Sequence, residues 1–188
     1  AAPPKAAKKL VCDRCDGPHE SSQCPHFKKE RDKHPDAKRG SHLSLGGSGG
    51  NVVVTDARVV PQPGDGNCLF HSLAHGLRRE LGDTTNSRRL RLELARFIQG
   101  HPSLLISETP LQQWVKWDSG LPLHKYTQRI AGSAWGGGIE MAACSRLRKV
   151  NIHVYERRRG GFKRISCFDV PSPKAILHVL YCGGIHYD

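Results

Sequence analysis

The sequence predicts an α+β protein, a small β-sheet flanked by helices, with helices first and strands last. Two observations carry this. Between 68 and 99 the apolar residues Leu69, Phe70, Leu73, Leu77 and then Leu90, Leu94, Phe97, Ile98 recur at helical spacing. Between 150 and 181, short β-branched and aromatic runs are separated by Arg-Gly-Gly and Pro-rich turns. The chain has 188 residues and 37% apolar content, enough for one domain with one core and a small appendage.

Residues 1–39 form the appendage. The arm at 1–10 is Ala, Pro and Lys, a composition that stays disordered. Cys12, Cys15, His19 and Cys24 follow within thirteen residues, three thiolates and an imidazole able to close a tetrahedral shell around Zn²⁺. Too short to bury a core, this segment would draw its folding energy from the metal. It resembles the zinc knuckles of retroviral nucleocapsid proteins, with three rather than four residues before His19, so that His26 is an alternative fourth ligand. Residues 40–50 are Gly and Ser with little else and read as a flexible linker, leaving 51–188 as the main domain.

Within the main domain, Val52–Val54 and Val59–Val60 read as one or two strands ended by Pro61 and Pro63. A Gly-rich loop then feeds the first helix. The second helix spans 86–99, with Asn86 as cap, and Arg88, Arg89, Arg91 and Arg96 on a solvated face. Thr109-Pro110 has the form of an N-cap with Pro at the first helical position. That helix runs through Trp117, with Trp114 and Trp117 sharing a core-facing side. Residues 121–130 and 139–147 give two more helices. Strands follow at 150–156, 162–168 and 176–181, the last largely apolar and so central.

Composition restricts the function classes. Net charge is +12, with +4 in residues 1–45 and +8 in the rest, a spread that implies weak affinity for polyanions more than a dedicated nucleic-acid face. Seven cysteines, an odd number without framework spacing, suit a reducing compartment, cytoplasmic or nuclear. No apolar run approaches the roughly 18 residues of a membrane span. A monomer is expected.

The chemistry centres on Asp65-Gly66-Asn67-Cys68-Leu69-Phe70-His71-Ser72. The loop places Cys68 at a helix N-terminus, where the positive end of the backbone dipole favours a thiolate. Loop N–H groups around Asp65, Gly66, Asn67 and Cys68 would hold an oxyanion beside the sulfur. His186 is the candidate base, and Asp188, two residues on along a strand, would share its face and orient the ring. His71 and His75 lie on the helix after Cys68. His153 and His178 read as packed, and His34, His42, His101 and His124 as solvent-facing.

The stretch from Asp65 to Ser72 resembles the catalytic-cysteine motif of the OTU (ovarian tumour) deubiquitinating cysteine proteases. Trp135-Gly136-Gly137 followed by Ile139-Glu140 resembles that family's internal segment, and Ile185-His186-Tyr187-Asp188 its terminal histidine motif. The resemblance implies a papain-type fold, a Cys68–His186–Asp188 triad, Asp65 shaping the oxyanion loop, and a cleft walled by Trp135, Gly136 and Gly137. It implies ubiquitin or polyubiquitin as partner, cleaved after the C-terminal Gly-Gly, with no cofactor for catalysis. Two other readings of the chain are a ubiquitin-binding module without turnover and a nucleic-acid-binding protein acting through the knuckle and basic charge.

Overall fold

In a computed structural model of the chain, residues 52–188 are described, together with Gln23, Gly47 and Ser48. Cys12, Cys15, His19, Cys24 and His26 lie outside the described residues, as do the arm at 1–10 and most of the 40–50 stretch. Among the described residues, no helix is long and apolar enough to cross a membrane.

Among the described residues, five helices precede three long strands. They are α1 (Cys68–Leu81), α2 (Ser87–Gly100), α3 (Leu111–Ser119), α4 (Leu123–Ala131) and α5 (Gly138–Arg148). The long strands are β5 (Asn151–Arg158), β6 (Gly161–Phe168) and β7 (Ile176–Cys182). The described residues also include five two-residue strands: β1 (Gly47–Ser48), β2 (Val53–Val54), β3 (Leu105–Ile106), β4 (Thr109–Pro110) and β8 (His186–Tyr187).

The main sheet runs β1-β6-β5-β7-β8, with β2 also on β6. β5 and β6 form the expected hairpin, and β5 and β7 pair in parallel. β5 is therefore the central strand, and the expectation of a central β7 is corrected. β7 reads as apolar because Leu177 and Val179 face the helices, but its Ile176 and His178 are exposed. Among the described residues its far edge pairs with β8, and its buried face packs on α1, where a Cβ on Gly76 would lie 3.2 Å from Leu177 Cδ2. His178 is likewise not packed as expected; it stands on the exposed side, with Nδ1 3.1 Å from the Tyr155 hydroxyl.

Helical spacing built the core as read. Leu69, Phe70, Leu73 and Leu77 of α1 and Leu90, Leu94 and Ile98 of α2 are essentially fully buried. They pack with Ile139, Met141 and Cys144 of α5 and with Ile152, Val154, Leu177 and Val179 of the sheet. α5 is buried from Gly138 through Ser145, so it is the inner helix. Asn86 caps α2 by accepting from the Arg89 N–H at 2.9 Å.

Four local readings change. Gly47 and Ser48, from the stretch read as linker, pair with Cys167 and Ser166 of β6. Val59 and Val60 form no strand, because the prolines at 61 and 63 offer no N–H to a ladder. Thr109 and Pro110 pair with Ile106 and Leu105 in a small hairpin, so Pro110 is the N-cap and α3 begins at Leu111. Trp114 is anchored by its indole N–H on the Ile106 carbonyl, but Trp117 is 61% exposed rather than core-facing.

Candidate active site

The site forms where the start of α1 meets the β7–β8 turn. Gly66 adopts φ +81°, which favours glycine and turns the chain sharply into the helix. The Asp65 carboxylate braces the turn: Oδ1 accepts from the Asn67 N–H at 2.9 Å, and Oδ2 lies 3.0 Å from His71 Nε2. These contacts hold Asp65 below its ordinary carboxylate value even though burial, the largest single influence, pushes the other way. Asp65 thus consumes the Asn67 amide, so that N–H is unavailable to an oxyanion. The Cys68 N–H at the first turn of α1, and those of Asp65 and Gly66, are the loop donors left.

Across the cleft, β7 and β8 pair Tyr181 with Tyr187 and Cys182 with His186. His186 Nε2 lies 3.0 Å from Asp188 Oδ1, and the imidazole also hydrogen-bonds the Cys68 side chain. The Cys68 bond and then Asp188 raise His186 from its ordinary 6.5 to about 9, against the opposing effect of burial. Asp188 is fixed in turn. Its Oδ1 accepts from the Gln62 N–H at 2.9 Å, its Oδ2 from the Cys182 thiol at 3.5 Å, and its backbone exchanges two hydrogen bonds with Leu180. The structure therefore brings Cys68, His186 and Asp188 into one hydrogen-bonded line.

Gly66, Cys68, Leu69, Trp135, Gly136, Tyr181, Gly184, Ile185 and Tyr187 line a narrow cleft over the sulfur. Trp135 and Gly136 form one wall, as their motif implies, and Gly136 is small because of what lies beneath it. A Cβ there would lie 2.8 Å from Leu69 Cδ2 and 3.0 Å from the Phe70 ring, so the missing side chain lets the loop sit down on α1. Gly137 is buried, and its N–H donates to Glu140 Oε2 at 2.8 Å. Glu140 also accepts from the Tyr126 hydroxyl at 2.8 Å, and full burial raises its carboxyl from 4.5 to about 7.

Three partners of this site escaped the sequence reading. Cys182 touches Asp188 with its thiol. Gln62 offers a backbone N–H that no side-chain pattern reveals. Arg91, placed with its neighbours on a solvated face, is 2% exposed and is corrected to a buried residue. Arg88, Arg89 and Arg96 are exposed as expected. Arg91 lies three and seven residues before Leu94 and Ile98, on the apolar face, and that spacing was the available signal. Among the described residues, no group of His, Cys, Asp and Glu side chains is arranged to hold a metal ion.

A thiol, an imidazole and a carboxylate in line at a helix N-terminus, within an α+β fold, are the groups that thiol-dependent hydrolysis requires. The family follows from the chain itself: the model of the OTU-like cysteine proteases matches residues 63–180, and the chain belongs to that family. An ovarian tumour domain-containing deubiquitinating enzyme of Arabidopsis thaliana is 30% identical over 176 residues, 89% of this chain and 54% of that protein. A ubiquitin thioesterase of Schizosaccharomyces pombe is 31% identical over 140 residues, 69% of this chain and 44% of that protein. The chain thus spans about half the length of these curated relatives. Among solved structures, the Hazara virus OTU bound to ubiquitin superposes with a TM-score of 0.57 at 26% identity, over 73% of this chain and 84% of that one. The OTU domain protease of Taggert virus gives 0.54 at 26% identity, over 73% and 83%.

Proposed function

We propose that this chain is a cysteine-dependent deubiquitinase that hydrolyses the isopeptide bond after the C-terminal Gly-Gly of ubiquitin. The carrying observation is the Cys68–His186–Asp188 line at the floor of a narrow cleft. The deubiquitinating enzyme of Arabidopsis and the ubiquitin-bound OTU of Hazara virus support the substrate.

Cys68 is the nucleophile. His186 takes the thiol proton and, raised to about 9, carries it at neutral pH. The sulfur attacks the carbonyl carbon of the terminal glycine, forming a C–S bond and an oxyanion. The Cys68 N–H and the other open amides of the loop stabilise that oxyanion. The C–N bond then breaks as His186 returns the proton to the leaving lysine amine, giving a thioester on Cys68. Water, losing a proton to His186, attacks the thioester; the C–S bond breaks, ubiquitin leaves as a free carboxylate, and the thiol is restored. Asp188 keeps the ring aligned and stabilises its charged form. The cleft suits a Gly-Gly tail because the walls from Trp135 and Tyr181 leave little room for side chains.

The test is reaction with a ubiquitin probe carrying a C-terminal electrophile. A covalent adduct that disappears in Cys68→Ala is expected; a folded wild-type protein that forms none would remove ubiquitin as the substrate.

A single Zn²⁺ held by Cys12, Cys15, Cys24 and either His19 or His26 is part of the same proposal, supported by the ligand spacing. Elemental analysis of protein purified without chelator is expected to give one zinc per chain, and a zinc-free preparation that still binds none on titration would end this reading. Hydrolysis does not need the metal. A thiol nucleophile and a thiolate metal shell both fit a reducing compartment, the cytoplasm or nucleus.

A further inference from the structure

We propose that Arg91 is the positioning residue of this cleft: one guanidinium from α2 locks the Cys68 loop and the Trp135 loop into a single rigid wall. The inference rests on reading the cleft as a hydrolytic site. Four donor contacts carry it. Nε donates to Asn67 Oδ1 at 2.9 Å and Nη2 to the Gly66 carbonyl at 3.1 Å, both in the loop that precedes the sulfur. Nη1 donates to the Ile130 carbonyl at 2.6 Å and the Ala134 carbonyl at 2.7 Å, at the end of α4 and immediately before Trp135. The Phe70 ring lies under the guanidinium carbon at 4.0 Å.

The Gly66 contact has a direct consequence for chemistry. Fixing the Gly66 carbonyl fixes the plane of the Gly66–Asn67 peptide, and the same plane carries the Asn67 N–H that Asp65 holds from the other side. Arg91 and Asp65 therefore set the loop's orientation together, and with it the direction of the open amides beside the sulfur. The Ala134 contact sets the height of Trp135 and Gly136 above Leu69 and Phe70.

Packing alone does not account for a cation at this depth. Desolvation lowers Arg91 from its ordinary value to about 10, and Glu140 and Asp65 oppose this only as Coulombic partners at a distance. A buried charge is an expensive way to fill a core, and an apolar side chain of similar volume commonly does so with equal or greater stability. All four acceptors belong to the two loops that form the cleft or to the helix end that leads into one of them. Lysine, with a compact ammonium, cannot reproduce a planar fork that spans both loops.

The test uses Arg91→Lys in the full chain, with a fluorogenic amide of the ubiquitin C-terminus as substrate. kcat is expected to fall on the order of 10²-fold, the cost of misplaced oxyanion donors, while KM stays close to wild type. Alkylation of Cys68 by iodoacetamide, and its pH profile, should be unchanged, because a small electrophile needs the Cys68–His186 pair but no oxyanion hole. Hydrogen exchange should rise together in residues 64–68 and 134–137. An unchanged kcat, or a loss matched by equal loss of alkylation, would overturn the proposal. Should Arg91→Lys not fold, Asn67→Ala removes the Nε contact together with the long 3.5 Å bond from Asn67 Nδ2 to the Asp65 carbonyl; full kcat and unchanged exchange in that variant would overturn it equally. Should wild type leave ubiquitin uncut, only the substrate reading falls, and hydrogen exchange at the two loops still decides the clamp.

Discussion

The two walls of the cleft are held by opposite means. The nucleophile's wall is tied by long-range side-chain contacts: Arg91 reaches partners 24, 25, 39 and 43 residues away, and Gly136 lies against Leu69 and Phe70. The base's wall is closed mainly by local contacts, with the Gln62 N–H on Asp188 as its long-range tie. Its His186 sits in a hairpin closed by backbone bonds between Leu180 and Asp188, the Tyr181 and Tyr187 rings meet at a tilt with centroids 4.9 Å apart, and the Tyr181 hydroxyl donates to the Gly184 carbonyl. Gly183 and Gly184 at its tip are exposed with positive φ. Oxyanion donors must be in place before charge develops, so their wall is braced in depth. In the proposed reaction the imidazole exchanges protons with thiol, amine and water, and a hairpin at the surface lets all three reach it.

Removing the nucleophile gives the largest effect and breaks the pair of walls outright. Cys68→Ala should lower turnover by on the order of 10⁴-fold or more with the melting temperature retained, read by probe labelling and thermal unfolding. Asp188→Asn attacks the other wall and should cost on the order of 10²-fold in kcat. It also carries a pH signature. His186 reaches about 9 partly through the Asp188 carboxylate, so the alkaline limb of the rate profile, near 9 in wild type, should move to lower pH in the variant. The same shift contributes folded-state stability that is complete below the ordinary 6.5 and is lost as pH rises toward 9.

Gly136→Ala sharpens the contrast, because the added methyl meets Leu69 at 2.8 Å; a stability loss of about 1–3 kcal/mol with reduced activity is expected from chemical denaturation and kinetics. Glu140→Gln probes the anchor of the same wall. The carboxyl is raised from 4.5 to about 7, so wild type should lose stability as pH climbs through that range. The loss between pH 6 and 8 is about 1 kcal/mol, and unfolding curves of the Gln variant should lack it. Gly184→Ala should have the smallest effect, about 1 kcal/mol from left-handed strain, since nothing lies within 4 Å of its added Cβ. Equal losses from Gly136→Ala and Gly184→Ala would erase the distinction between the walls.

The same contrast explains what could be read in advance. The Cys68 loop, the α1 and α2 core faces, the Asn86 cap, the β5–β6 hairpin and the His186–Asp188 spacing are set by residues close in sequence. Propensity and period therefore exposed them. The misreadings share one cause. Arg91, Trp117, His178 and the rank of β7 in the sheet depend on which neighbour arrives from elsewhere in the chain, and residue type alone says only what is usual for a surface or a core.

The sequence by itself determined the class of fold, the motif residues and the order in which they reach the cleft, because helical period, turn glycines and two-residue strand spacing are local properties. Only the tertiary structure decided that the Asn67 amide is spent on Asp65, that Gly136 is small to fit α1, and that an arginine of α2 holds both loops. Each of these depends on a hydrogen bond or van der Waals contact between segments that meet only when the core closes.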